Sequence, residues 1–272
     1  MRNDHVNKNE KIKKIAVVTG GSSGIGLELV KNLLDTDFFV VSVSRSAPPI
    51  ESAAHDFFAC DLSKSEQVKE TAEKIVQKYP QIDLLVNNAG LGISGATELL
   101  PEEEIRYVFE VDYFSVLNFT RALLPAMQRG SKIVNISSAC ALFALPYRNI
   151  YCSAKAAVNM LSLGLRMELK KSGIAVVCVC PGDIKTSFTQ NRIKYVEGGE
   201  RYGDRVKDAQ QKIDGREHKR MDPQKAAQKI ARIAVKKKGA LYIVGGKYKA
   251  FNFLYRIFPV GAFYGAVGKI FG

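Results

Sequence analysis

At 272 residues, with 46% hydrophobic and 25% charged side chains, the chain has enough apolar material for a full core, which excludes the disordered and fibrous classes. Five cysteines (Cys60, Cys140, Cys152, Cys178, Cys180) without metal-ligand spacing and three scattered histidines (His5, His55, His218) argue against a metal site or a histidine-based triad; with no apolar signal stretch at the start, they point to the cytoplasm. The net charge of +13 gathers in residues 191 to 272, where 19 Lys+Arg face 7 Asp+Glu, a region that either attracts an anionic partner or forms a solvated face.

In chain order, residues 1 to 13 read as a disordered basic arm. Short apolar runs then alternate with helical periodicity. The runs KIAVVTG, FFVVSVS, FFACD, IDLLVNNAG, KIVNISS, IAVVCVC and ALYIVGG are rich in β-branched and aromatic residues and predict strands. The stretches between them predict helices, three opening at Ser65, Pro101 and Asp222 and a fourth closed by Gly173. Continuous apolar strands separated by helices imply one doubly wound α/β domain over 14 to 250 with a parallel sheet covered on both faces. Residues 187 to 222 show little strand or helix pattern, and 251 to 272 form an apolar extension in which seven of 22 residues are Phe or Tyr.

The first strand runs into Thr19-Gly20-Gly21-Ser22-Ser23-Gly24-Ile25-Gly26 and a helix. Backbone free of side chains lets phosphates approach, and the free N–H groups and dipole of the helix N-terminus favour their charge, so this turn is a pyrophosphate site. At the end of the second strand Ser44 and Arg45 offer a hydroxyl and a guanidinium suited to a 2′-phosphate, where an acidic residue would suit a ribose diol. Tyr151 and Lys155, at i and i+4, lie on one helix face, so the ammonium can favour a phenolate and bring the tyrosine towards use as an acid or base near neutrality.

The glycine turn, Asp61 in CDL, the NNAG of Asn87 to Gly90, Ser138, Tyr151-x3-Lys155 and the PGDIKT of Pro181 to Thr186 follow one another in an order that resembles the short-chain dehydrogenase/reductase family over residues 14 to 245. That resemblance implies a Rossmann-type domain and reversible ketone reduction, with Tyr151 as acid/base and Ser138 holding the carbonyl oxygen. The cofactor would be NADP(H) rather than NAD(H), with Asp61 and Leu62 at the adenine, Asn88, Ala89 and Gly90 lining the cleft, and Pro181, Gly182, Ile184 and Thr186 near the nicotinamide. Relatives usually carry Asn where Asp112 stands, an Asn that holds a water linking the lysine to solvent; Asp112 either keeps that relay or alters it.

The resemblance makes 187 to 222 a mobile substrate loop and sets the apolar ending closest to members acting on steroids or other lipids. The expected partner is a small hydrophobic ketone or alcohol, with no metal and no nucleic acid. The expected assembly is a homodimer or homotetramer. Residues 251 to 272 are too short in uncharged run, and too rich in Gly and Pro, to span a bilayer; they cover the cleft or a partner subunit, or lie at a membrane surface. Alternatives are a 3-oxoacyl-type reductase of fatty-acid metabolism and a non-catalytic dinucleotide-binding protein.

Overall fold

A computed structural model of the chain describes residues 13–215 and 220–271; the basic arm expected at the start lies, but for Lys13, outside the described residues. Chain order is β1 (Lys14–Thr19), α1 (Gly24–Leu34), β2 (Phe38–Ser44), β3 (His55–Ala59), α2 (Ser65–Lys78), β4 (Ile82–Asn87), β5 (Ile93–Ser94), α3 (Glu102–Phe109), α4 (Ser115–Leu123), β6 (Met127–Ile136), α5 (Asn149–Glu168), β7 (Ala175–Pro181), α6 (Ser187–Gln190), β8 (Ile193–Lys194), α7 (Gly199–Tyr202), α8 (Arg205–Asp214), α9 (Pro223–Lys236), β9 (Leu241–Val244), α10 (Gly246–Ile257) and α11 (Val260–Phe271).

Seven strands form one parallel sheet in the order β3-β2-β1-β4-β6-β7-β9. The chain moves outward from β1 to β3 and then returns to the other side of β1 with β4, so strand order reverses between β1 and β4, where the crevice of such a sheet opens at the carboxyl ends. Both faces are covered because the central strands are apolar throughout. Alternate residues of β1 serve opposite cores: Ala16 and Val18 pack with Leu29 and Leu33 of α1 and Ile230 of α9, while Val17 packs with Ile75 of α2 and Phe119 and Leu123 of α4. This is the doubly wound, Rossmann-like domain that the strand and helix pattern predicts.

Helix ends follow local chemistry. Asp222 caps α9 by accepting from the Lys225 N–H at 3.0 Å, with Pro223 at the first helical position, and the three glutamates after Pro101 fill the first turn of α3, where the helix dipole favours acid. Ser65 is instead the first residue of α2 rather than its cap. The long helix expected from Glu102 onward is interrupted by a π-helical turn over Glu110–Phe114 that carries Asp112, the kind of local widening that tends to occur at functional positions.

Two regions differ from the sequence pattern. Residues 187 to 214 hold α6, β8, α7 and α8, and β8 pairs with β5 in a separate two-stranded sheet. Pieces of two to four residues are too short to show a period, and α8 is held by burial of Val206, Ala209 and Gln210 on one face. The apolar ending is a helical hairpin: Phe263 and Val267 of α11 enter a third core with Phe143, Leu145 and Tyr151, while Phe253, Ile257, Phe258 and Val260 are exposed on its outer side. No described helix is long and apolar enough to cross a membrane.

Candidate active site

A cavity of about 450 Å³ opens along the carboxyl ends of β1, β4, β6 and β7. At one end is the glycine turn. Gly20 and Gly24 have φ of 67° and 55°, values that suit glycine, and a Cβ on Gly26 would run into the Gly20 carbonyl and the Asn88 amide. The turn is stapled to β4: Thr19 Oγ1 accepts from the N–H groups of Asn88 and Ala89 at 3.0 and 3.2 Å, and Asn88 Nδ2 donates to the Thr19 and Gly20 carbonyls at 3.1 and 3.3 Å.

Gly20, Ser22, Ser23, Gly24, Ile25 and Gly26 line the cavity, with Ser44, Arg45, Asp61 and Leu62 beside them. Gly21 faces away: a Cβ there would meet Ser42 and Val30, so its smallness serves packing of the turn on β2. Against the cost of burial, hydrogen bonds from Ser63 and the nearby Arg45 guanidinium hold Asp61 below the usual carboxylate range.

The other end is built from β6 and α5. Ser138 follows β6, and Tyr151 and Lys155 stand one turn apart on α5; all three, with Asn88, Ala89, Gly90, Pro181, Gly182, Ile184 and Thr186, line the same cavity. The Ser137 hydroxyl ties α5 to β6 by donating to the Lys155 carbonyl at 3.0 Å. Asp112 lies behind the wall. Its Oδ1 accepts from the Leu91 N–H at 2.6 Å and its Oδ2 lies 3.6 Å from Lys155 Nζ. Burial pushes the Asp112 carboxyl up to about 6, with Lys155 opposing.

The charges around Tyr151 depart from the simple i, i+4 expectation. Burial, then Cys140 and Asp112, push its hydroxyl above the usual phenol range, and a hydrogen bond from Ser138 and the Arg148 guanidinium oppose this. The Arg148 guanidinium lies over its ring, the carbon 5.6 Å from the centroid, while Lys155 is engaged with Asp112 and, at 3.5 Å, with the Ile136 carbonyl.

The cavity also has walls that motif reading missed: Arg148, Arg192, Cys140, Phe188 and Tyr248. Arg148, one turn before Tyr151, could have been found from helical spacing. Arg192 could not, because it comes from a patternless segment. Beyond residue 250 no described side chain lines the cavity; Phe263, with Phe251, Tyr255 and Tyr264 against it, packs in the core that holds Tyr151, and only Tyr248 of α10 reaches the cleft.

The family model for short chain dehydrogenases matches residues 14–196, more than half of the chain and all of the motifs up to Thr186. The chain belongs to the short-chain dehydrogenase/reductase family. Among relatives of this short-chain dehydrogenase/reductase, a 3-ketodihydrosphingosine reductase of Bacteroides thetaiotaomicron is 34% identical over 228 residues, covering 82% of this chain and 84% of the relative. A short-chain dehydrogenase from Streptomyces avermitilis superposes with a TM-score of 0.77 at 28% identity, over 89% of this chain and 93% of that one. A 3-ketoacyl-(acyl-carrier-protein) reductase from Brucella melitensis, solved with NADH, gives 0.71 at 26% identity, over 86% of this chain and 98% of its own. Family membership makes the protein an NAD(P)-dependent oxidoreductase of small carbonyl or alcohol substrates.

Proposed function

We propose that this short-chain dehydrogenase/reductase interconverts a ketone and a secondary alcohol on an apolar, lipid-like substrate, with NADP(H) as cofactor. The observation that carries the reading is the arrangement of one cavity: a glycine turn at one end, and Ser138, Tyr151 and Lys155 converging at the other. The residues fit a dinucleotide, because the turn keeps a side-chain-free cradle at the start of α1 where phosphate oxygens meet helix N–H groups. Arg45, at the end of β2 in the cavity wall, is placed for a 2′-phosphate; the Brucella reductase, solved with NADH, makes the choice a point to measure. A bound nicotinamide would supply the hydride.

The chain's own groups handle the oxygen. Ser138 donates a hydrogen bond to the substrate oxygen and Tyr151 gives it a proton, or removes one in the reverse direction. Lys155, buried against Asp112, stands beside Tyr151 in the wall of the cofactor cleft. Leu91, Tyr107, Val111 and Phe188 in the cavity wall support an apolar substrate, and the Bacteroides relative, named for 3-ketodihydrosphingosine, supports a ketone as the reacting group.

Two further parts follow from exposed apolar side chains. Met160 and Met167 of α5, 71% and 74% exposed, support pairing of α5 between subunits of a homodimer or homotetramer. Phe253, Ile257 and Phe258, near Arg256 and Lys249, support peripheral contact of the terminal hairpin with anionic lipid.

The test is Tyr151→Phe. NADPH oxidation with a panel of ketones should fall by about a thousand-fold or more, while nucleotide affinity, read by fluorescence titration, should hold. Near-wild-type turnover would remove Tyr151 from the chemistry, and nucleotide binding with no turnover of any ketone in the wild type would favour a dinucleotide-binding protein without catalysis.

A further inference from the structure

Two arginines outside the family motifs meet in the wall beside Tyr151. Arg148 immediately precedes α5 and Arg192 precedes β8. Tyr147 has φ 58°, a left-handed conformation that a non-glycine residue adopts only when its surroundings hold it; its carbonyl accepts from the Gly95 N–H at 2.8 Å. This turn leads into Arg148, whose guanidinium rests over the Tyr151 ring. Gly92 leaves room for the Arg192 stem: a Cβ there would lie 3.2 Å from Arg192 Cγ.

Both side chains are almost wholly buried, and three of their nitrogens find no acceptor among the described residues. Arg148 and Arg192 are 8% and 7% exposed, and Arg148 Nε and Arg192 Nε and Nη1 are buried with no hydrogen-bond partner. Among the described residues, the carboxylates whose fields reach them are engaged elsewhere: Asp183 accepts from the Tyr248 hydroxyl, and Asp214 from Lys194 and Gln210 at 3.1 and 3.0 Å. Burial, and then the neighbouring Arg148 charge, push Arg192 down to about 10. Against burial, the neighbouring Cys140, Tyr151, Cys152 and Asp183 hold Arg148 up, so the costly unpaired charge is that of Arg192, and two guanidinium forks facing one cavity are satisfied by a carboxylate or phosphate. The nucleotide's pyrophosphate is not that anion. Its turn lies at the Gly24 end, where Thr186 approaches, whereas the arginines adjoin Tyr151 and Cys140.

We propose that Arg148 and Arg192 bind an anionic group of the substrate, a carboxylate or a phosphate, carried a few bonds from the ketone that Tyr151 protonates. The proposal rests on the ketone–alcohol reading above and narrows the substrate to a keto acid or phosphorylated ketone with an apolar remainder, against a neutral ketone or a cationic amino ketone.

Binding and turnover test it separately on the full chain with NADPH. Octanoate or octyl phosphate should raise the melting temperature where octanol and octylamine do not, and the better of the two identifies the anion. Arg148→Met and Arg192→Met should each weaken that binding at least ten-fold, with Arg192→Lys recovering part of it. Octanol acting as well as octanoate, or unchanged anion affinity in both Met variants, would overturn the proposal. Without ligand, Arg192→Met should melt higher than wild type, having lost an unpaired buried charge; a lower melting temperature would mark the guanidinium as structural and overturn its part. In turnover, kcat/KM for a medium-chain 3-oxo acid should exceed that for its methyl ester at least ten-fold, and Arg192→Met should erase the preference. Equal rates for acid and ester would sink the anion site while leaving ketone reduction standing. Anion binding with no ketone turned over would sink ketone reduction and leave the site.

Discussion

Asp112 Oδ2 lies 3.6 Å from Lys155 Nζ, with the two side chains 0% and 3% exposed, one helical turn below the tyrosine that moves the proton in the proposed mechanism. An ion pair shut off from water holds its geometry but stabilises little, because desolvation offsets the attraction. Its value here is electrostatic: the ionised aspartate adds to what keeps the proton on Tyr151. In Asp112→Asn that negative charge is gone, so the apparent pKa governing alcohol oxidation should move down by about one unit. The pH profile of kcat/KM for an alcohol checks this, and an unmoved profile would make Asp112 a neutral replacement for the usual asparagine.

The same pair sets a pH dependence of stability. Burial raises the folded pKa of Asp112 from 3.8 to about 6, so the folded state holds this proton more tightly than an unfolded chain does. The stabilisation is present in full below pH 3.8 and lost as pH rises through about 6, following the linkage of proton uptake to folding. Denaturant unfolding between pH 4 and 7 should therefore show Asp112→Asn gaining on wild type as pH rises; parallel curves would contradict the shift.

Arg45 is exposed at the cavity wall, and its charge reaches Asp61. A guanidinium–phosphate contact of about 1.4 kcal/mol corresponds to roughly ten-fold in affinity. Arg45→Ala should raise KM for NADPH by roughly that factor and change KM for NADH little. A wild type that prefers NADH would overturn the NADP(H) assignment.

Gly182 and Tyr248 are in such close register that a Cβ on Gly182 would overlap the Tyr248 ring, whose hydroxyl bonds to Asp183. Gly182→Ala should cost about 1–3 kcal/mol by pushing Tyr248 and α10 off the cleft. Thermal melts of a double-mutant cycle check this: adding Tyr248→Ala should cost less than the two single losses together, since the overlap is then absent.

The terminal hairpin should respond differently on its two sides. Phe263, 7% exposed in the third core, should cost about 3–5 kcal/mol when cut to Ala. Phe253→Ser with Ile257→Ser, at 63% and 58% exposed, should leave the unfolding free energy within about half a kcal/mol yet reduce co-sedimentation with vesicles containing phosphatidylserine. Unchanged vesicle binding, or none in the wild type, would remove the membrane contact.

Much of this protein is legible in the chain itself because the information is local. A β-branched run such as Val40, Val41 and Val43 is apolar on both sides and reads as a buried parallel strand. The glycine turn needs small residues at fixed positions whatever surrounds it, and Tyr151 and Lys155 share a helix face by spacing alone. Tertiary structure decided what spacing does not carry. Asp112 reaches Lys155 from a π turn between α3 and α4; Phe263, Tyr255 and Tyr264 pack in the core that holds Tyr151 and stay out of the cavity wall; and Arg192, set before β8 where that strand pairs with β5 and Gly92 clears its stem, lines the same cavity as Arg148. Each depends on segments distant in sequence brought together by packing, where no local period or cap records the partner, and so the fold and family follow from the sequence while the charges lining the cavity beside Tyr151 are set only in three dimensions.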